Sequence, residues 1–233
     1  MTGLREPIRL AAPAGGPGRR RVVELAGLAA SGKTSLLRAL AGQEPAWRAG
    51  LRPPKHGHAW SAATLLPDFV ALHRSARRIL WKEMKRMTYL RTLRRELEAE
   101  AWRPGGAVIL DEGPVYMMAR MRMYGGAAVR SERFEAWWER AGEEWGRLLD
   151  LVIRLDAPDA VLTQRLRGRA QRHRLQAASD RQIDEFLTSY RAAYAEVVAV
   201  LERHGVRVLE VRTDREAPER IAERVSRVLR EAE

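Results

Sequence analysis

The sequence contains no cysteine, which excludes disulfides and Cys-based zinc sites. No apolar run reaches the ~20 residues that a membrane span needs. The opening MTGLREPIRLAAPAGGPGRRR lacks the apolar core of a signal peptide. Together these absences predict a cytoplasmic chain with no membrane partner. There is no internal repeat and no RNA- or DNA-binding motif. Lysine is scarce as well, occurring only at 33, 55, 82 and 85, so the net charge of +12 is carried by arginine. Arginine offers a planar fork that holds phosphate bidentately, which lysine does not. A compositional bias toward arginine explains the bulk of them equally well. Position, not number, has to carry the argument. Two stretches lack acids altogether, one between Glu44 and Asp68 and one between Asp159 and Asp180.

What is present is an alternation. Four short apolar runs read as strands: 22–26, 107–110, 151–155 and 206–211. A weaker fifth lies between Trp47 and Leu51. Helical patterns separate them at 33–41, 61–101 (broken once), 130–147, 158–170, 180–203 and 216–231. Strands alternating with helices predict an α/β fold with a parallel sheet covered on both faces. The 233 residues suit one such domain with room for a mobile subdomain. Residues 1–20, rich in Pro, Gly and Ala, read as a flexible arm.

The chemistry starts at Gly27-Leu-Ala-Ala-Ser-Gly-Lys-Thr34, which fits G-x-x-x-x-G-K-[ST] between a strand and a helix. Gly27 and Gly32 permit backbone geometry that a Cβ would obstruct. The N–H groups of the loop, Ala30, Ser31, Gly32, Lys33, Thr34 and Ser35 included, form an anion nest at a positive helix end. Lys33 would reach the β- and γ-phosphates of a nucleotide, and Thr34 would offer its hydroxyl to Mg²⁺. The apolar run 108–110 ends in Asp111, where a Walker-B carboxylate would hold Mg²⁺ directly or through water. Glu112 beside it either contacts the metal's water or the acceptor, or is a solvated turn residue.

Further on, Arg165, Arg169 and Arg172 fall at i, i+4 and i+7, in the second acid-free stretch. They predict one cationic helix face. Such a face either sits in solvent or meets an anion, and a γ-phosphoryl group in transfer needs positive charge on its oxygens.

These parts, in this order, resemble the nucleoside and nucleotide kinase group of P-loop kinases, which includes thymidylate kinase, adenylate kinase and the deoxynucleoside kinases. GLAASGKTSLL resembles the thymidylate kinase loop. LDAPDAVLTQRLRGR resembles the strand, helix and lid entry of adenylate kinase-like enzymes, and VLEVRTDREAPERIAERV their last strand and helix. The resemblance implies a P-loop NTPase three-layer sandwich with a five-stranded parallel sheet and an Arg-rich lid near 165–180. It implies ATP or another NTP with Mg²⁺, and a kinase domain over 21–233 with an acceptor-binding helical region near 47–101. It also implies that Arg165 flanks the adenine, that Arg169 touches the phosphates, and that the loop at 213–215 edges the base. Lys33, Asp111, Arg165 and Arg169 would be the catalytic set. The chain departs from the thymidylate kinase pattern at Ala29, where those enzymes carry Asp, and at Asp111-Glu112, where they carry Asp-Arg. It departs from deoxynucleoside kinases in having no carboxylate after the second strand.

A hydroxyl acceptor benefits from a carboxylate base; a phosphate acceptor needs cations instead. Arg74, Arg78, Lys82 and Arg86 recur every four residues and predict one helical stripe. The expected acceptor is therefore a small anion, most simply a nucleoside monophosphate. The stripe has an alternative as a solvated face neutralised by Glu83 and its neighbours. Asp68, Glu112, His56 and His58 remain candidates for serving a hydroxyl acceptor, such as a nucleoside, a metabolite or an antibiotic. Within 116–124, Met and Tyr either line an acceptor pocket or fill core gaps. Phe134, Trp137, Trp138, Ala141 and Trp145 have helical core spacing. A third reading, of another class, is a nucleotide-dependent module that binds nucleic acid or a partner through the basic surface. A homodimer stays open.

Overall fold

The computed structural model describes residues 19–44, 47–54, 56–76, 80–169 and 175–230. Five strands, β1 (Arg21–Gly27), β2 (Arg48–Ala49), β3 (Ala107–Leu110), β4 (Leu151–Asp156) and β5 (Arg207–Arg212), form one sheet in the order β2-β3-β1-β4-β5. Every pairing is parallel. The strands lie within a residue or so of the runs read from sequence; β1, β3 and most of β4 are buried along their length and so read as continuous apolar runs. The expected five-stranded parallel sheet is present.

Side chains alternate across the sheet. On one face Val23, Leu25, Ile109 and Ile153 pack with Leu36 and Leu40 of α1 (Lys33–Ala41) and with Ile221 and Val225 of α9 (Pro218–Arg230). On the other, Val22, Ala26, Val108 and Val152 pack with α4 (Trp81–Ala101), α5 (Pro114–Tyr124), α6 (Glu132–Gly146) and α8 (Asp180–Arg203). The aromatic set 134, 137, 138 and 145 is buried there, as its spacing predicted. α6 begins at Ser131, whose hydroxyl accepts from the Phe134 N–H. α8 begins with a capping box between Ser179 and Gln182.

Four expectations are corrected. First, Arg19 and Arg20 are not part of a flexible arm. Arg19 donates to Asp150 at 2.8 Å and Arg20 to Glu100 at 3.1 Å, and Arg19 bridges to Pro104. Residues 1–18 lie outside the described residues. Second, the stretch 61–101 breaks twice, giving α2 (Gly57–Thr64), α3 (Leu66–Ala76) and α4. Pro67 lacks the N–H that would continue α2, and its ring would crowd the preceding turn. Third, the cationic stripe is not one stripe. Arg74 is on α3, Lys82 and Arg86 are on α4, and Leu80 between them is non-helical at φ −96°, ψ 54°. The Arg74 side chain and all of Arg78 lie outside the described residues. Fourth, α7 (Asp159–Arg167) stops at Gly168, so Arg169 is off the helix and does not share its face with Arg165. Arg172 lies outside the described residues.

One helix went unread. α5 starts with Pro114 in its first turn and ends at Gly125. Val115, Met118, Ala119 and Met121 are buried on one side, but the Arg122 side chain is buried as well and Met117 and Met123 are half-buried, which blurs the one-sided apolar periodicity that marks a surface helix.

Candidate active site

β1 and β3 are neighbours, with Glu24 paired to Leu110. The phosphate loop leaves the end of β1, and Asp111 follows the end of β3. The topology therefore sets the two motifs side by side at the carboxyl edge of the sheet. The chain also turns from one side of β1 to the other here, the usual place for a ligand crevice in an open α/β sheet.

The loop is tightly built. A Cβ on Gly27 would lie 2.5 Å from both the Leu155 carbonyl oxygen and Ser31 Oγ. Ala30 takes the left-handed conformation at φ 65°, a backbone strain of about 1 kcal/mol or more that non-glycine residues seldom carry away from functional loops. Lys33 Nζ donates to the carbonyl oxygens of Gly27 and Leu28. The Gly27 carbonyl also accepts from Tyr194 of α8 at 3.1 Å. Burial holds the Lys33 ammonium down to about 8; Arg169 pushes the same way, and Asp111, Glu24 and Glu112 oppose it.

Two cavities meet at this loop. The first, of about 420 Å³, is lined by residues 28–36 of the loop and α1, by Arg165 and Arg169, and by Thr213, Glu216, Pro218 and Ile221. Arg165 donates to Thr213 Oγ1 at 3.0 Å and to its carbonyl oxygen at 2.9 Å. The α7 arginine and the turn after β5 thus form one wall. The second cavity, of about 610 Å³, is lined by Gly27, Ala29, Lys33, Thr34 and Arg169, and by Asp111 and Glu112. Arg52, Tyr116, Arg120, Tyr124, Phe186 and Tyr190 complete it. Lys33, Thr34, Ala29 and Arg169 belong to both.

Asp111 Oδ1 is buried with no hydrogen-bond partner, and Thr34 faces the same cavity. An orphaned carboxylate oxygen beside a hydroxyl is a hard-oxygen donor pair that suits Mg²⁺. Among the described residues no group of three His, Cys, Asp or Glu is placed to hold a metal ion by itself. The remaining ligands of such an ion would be nucleotide oxygens and water, as Mg²⁺ prefers.

Of the charged and histidine residues expected to serve the acceptor, Glu112 is the one that lines the second cavity among the described residues. Lys82 is exposed and lines neither cavity. Asp68 is engaged by Arg140 at 2.7 Å on another face. His56 is exposed, and His58 stands edge-on to Tyr89. Besides Lys33 and Arg169, the cations of the cavity are Arg52 and Arg120. Arg120 donates to the Tyr116 hydroxyl at 2.8 Å and lies over the Tyr116 and Tyr124 rings. The 116–124 stretch divides by face: Met118 and Met121 are core, while Tyr116 and Tyr124 line the cavity. Arg52 stood inside the acid-free stretch between Glu44 and Asp68 and the expected acceptor region 47–101, but no motif singled it out.

Sequence reasoning also missed Glu24. It lies in the central strand, fully buried, and accepts from the N–H groups of Gly113, Val115 and Tyr116. Burial raises its carboxyl from 4.5 to about 7, against those three bonds and Lys33. The folded value exceeds the unfolded one, so the native state holds the proton more tightly. Stability is therefore expected to fall as pH rises from 4.5 to about 7, by up to about 3 kcal/mol. Urea unfolding of the wild type and Glu24→Gln at about pH 5 and about pH 8 checks this. The wild type should lose ground relative to the variant at the higher pH, and parallel curves would refute the assignment.

No protein-family model matches the chain, and no curated protein matches it by sequence. Solved structures do. Deoxyadenosine kinase from M. mycoides with bound dCTP is similar over 88% of this chain and 98% of that one, at 13% identity and a TM-score of 0.50. The same enzyme with bound dATP gives 12% identity, 88% and 99% coverage and a TM-score of 0.53. The Bacillus subtilis YorR protein in complex with phosphorylated GDP covers 90% of this chain and 95% of its own, at 13% identity and a TM-score of 0.52.

The chain has the P-loop NTPase fold. Within that fold the loop at 27–34 and the Asp111 turn occupy the end of the sheet where the two cavities meet.

Proposed function

We propose that the chain is an ATP- and Mg²⁺-dependent kinase that transfers the γ-phosphoryl group to a small nucleotide-like acceptor. The observation that supports this most is the shared wall. A nucleotide in the first cavity would bring its terminal phosphate to Lys33, Thr34 and Arg169, which also face the second cavity. An acceptor there would meet the phosphate from the other side, as in-line transfer requires. Lys33 and Arg169 would neutralise charge on the transferring group. Thr34 and Asp111 would hold Mg²⁺, which when bound supplies charge neutralisation to the β- and γ-oxygens. Arg165, tied to Thr213, would flank the base. Of the lid expected near 165–180, residues 170–174 lie outside the described residues.

For the acceptor, Arg52 and Arg120 favour an anion such as a nucleoside monophosphate. A hydroxyl acceptor is favoured by one observation, the Glu112 carboxylate lining the cavity beside Asp111. One of the kinases similar in fold is named for a deoxynucleoside, whose acceptor group is a hydroxyl, which leans the same way as Glu112. ADP release measured across nucleoside monophosphates, nucleosides and hydroxylated metabolites tests the proposal. A monophosphate is expected to stimulate release, with Glu112→Gln costing less than about tenfold. Stimulation by a hydroxyl compound alone, with Glu112→Gln costing about 10²-fold or more, would make Glu112 the base. No stimulation by any acceptor would refute the kinase reading.

A further inference from the structure

We propose that Glu24 is a positioning residue, which clamps the 111–113 turn from inside the sheet and thereby aims Asp111 and Glu112 into the shared cavity. The inference rests on the proposed Mg²⁺-nucleotide site. Its geometry is independent of it.

α5 has no local cap. Gly113 at its N-cap has no side chain, and Pro114 follows with no N–H to donate. The free donors of a first helical turn need partners when buried. Glu24 meets all of them from another element: Oε1 accepts from Gly113 at 3.1 Å and Tyr116 at 2.9 Å, and Oε2 from Val115 at 2.9 Å. The fit is close enough to dictate the partner residue. A Cβ on Gly113 would lie 2.6 Å from the Glu24 carboxyl carbon, so the turn accepts glycine there and no local Ser or Asp cap.

A buried carboxylate in a central strand is a costly way to cap a helix. What it adds is a fixed distance. Glu24 and Gly27 lie on the same strand, buried along its whole length. The strand that launches the phosphate loop therefore also holds the acidic turn. Asp111, with its unpartnered Oδ1, stands two residues before the first clamped amide. Loosening the clamp would let the Asp111 and Glu112 carboxylates drift relative to Thr34 without opening the core. Partners of this kind, one step behind a metal ligand, typically change metal affinity or activity by about 10–100-fold when removed.

Glu24→Gln keeps size and one acceptor oxygen but sets an NH₂ group against a backbone N–H. The test is a titration of Mg²⁺ into protein with the fluorescent analogue mant-ATP, alongside binding of mant-ATP in EDTA. The expected result is metal-free binding within about twofold of wild type and a Mg²⁺ midpoint raised about tenfold or more, with activity rescued at high Mg²⁺. A lower amplitude at an unchanged midpoint would mean that Glu24 only supports folding, and no change at all would mean that it does nothing for the turn. Either overturns the inference. If wild type itself binds no Mg²⁺-mant-ATP, the proposed function fails as well; if both proteins bind it equally, only the role of Glu24 fails. Should the variant not fold, amide exchange in the wild type decides. The Gly113, Val115 and Tyr116 amides are expected to exchange slowly, and fast exchange at all three overturns the clamp.

Discussion

Replacing Lys33 with alanine is expected to lower phosphoryl transfer by about two to three orders of magnitude, some 3–4 kcal/mol of transition-state stabilisation. Its ammonium belongs to the wall that the two cavities share, where a transferring phosphoryl group would pass. The same change should leave the fold standing. Burial and Arg169 hold the ammonium down to about 8, so the folded protein gains little from keeping that charge. The Gly27 carbonyl, one of its two acceptors, retains the Tyr194 hydroxyl as a donor. Thermal unfolding and steady-state ADP formation on one preparation separate the two effects. An unfolded Lys33→Ala protein, or a folded one with wild-type turnover, would contradict the role assigned to Lys33.

Asp111→Asn is expected to cost about 10²-fold or more in turnover and to raise the Mg²⁺ requirement, with stability unchanged within about 1 kcal/mol. The unusual pairing of a large functional cost with no structural one follows from the geometry. Oδ1 is buried without a hydrogen-bond partner, so the fold makes no use of it. A buried carboxylate oxygen left without a partner is the position that a bound cation would complete. Turnover against Mg²⁺ concentration, read beside urea unfolding, checks both halves. A stability loss of several kcal/mol would show that Asp111 is a structural residue.

The parts of the fold that are local and continuous were legible in the sequence. The central strands β1, β3 and β4 are apolar runs buried on two faces, and α1 and α8 have the bounds 33–41 and 180–203 that their patterns predicted. The phosphate loop was legible because its backbone demands particular residues at particular spacings. What failed were inferences that extend a helical period across a break. The stripe from Arg74 to Arg86 assumed one helix, and Leu80 ends it; the face shared by Arg165 and Arg169 assumed another, and Gly168 ends that. Neither break shows in the spacing of the charges alone, although Gly168 is a residue that commonly ends a helix. The second cavity was least legible because the topology assembles it. Arg52 follows β2, Arg120 lies on α5 and Tyr190 on α8, and no stretch of sequence shows that they meet. Glu24 was hidden for a related reason: a lone acid in an apolar strand gives no hint that its partner is the start of a helix about ninety residues away.

The most direct test of the central claim follows the γ-phosphate itself. Purified protein is incubated with Mg²⁺, ATP carrying radiolabel on its γ-phosphate and the acceptor panel, and the label is located by chromatography. The account predicts label on one class of small acceptor, dependent on Mg²⁺ and lost in Lys33→Ala. Label appearing only as inorganic phosphate, or remaining on ATP with every acceptor, would contradict it.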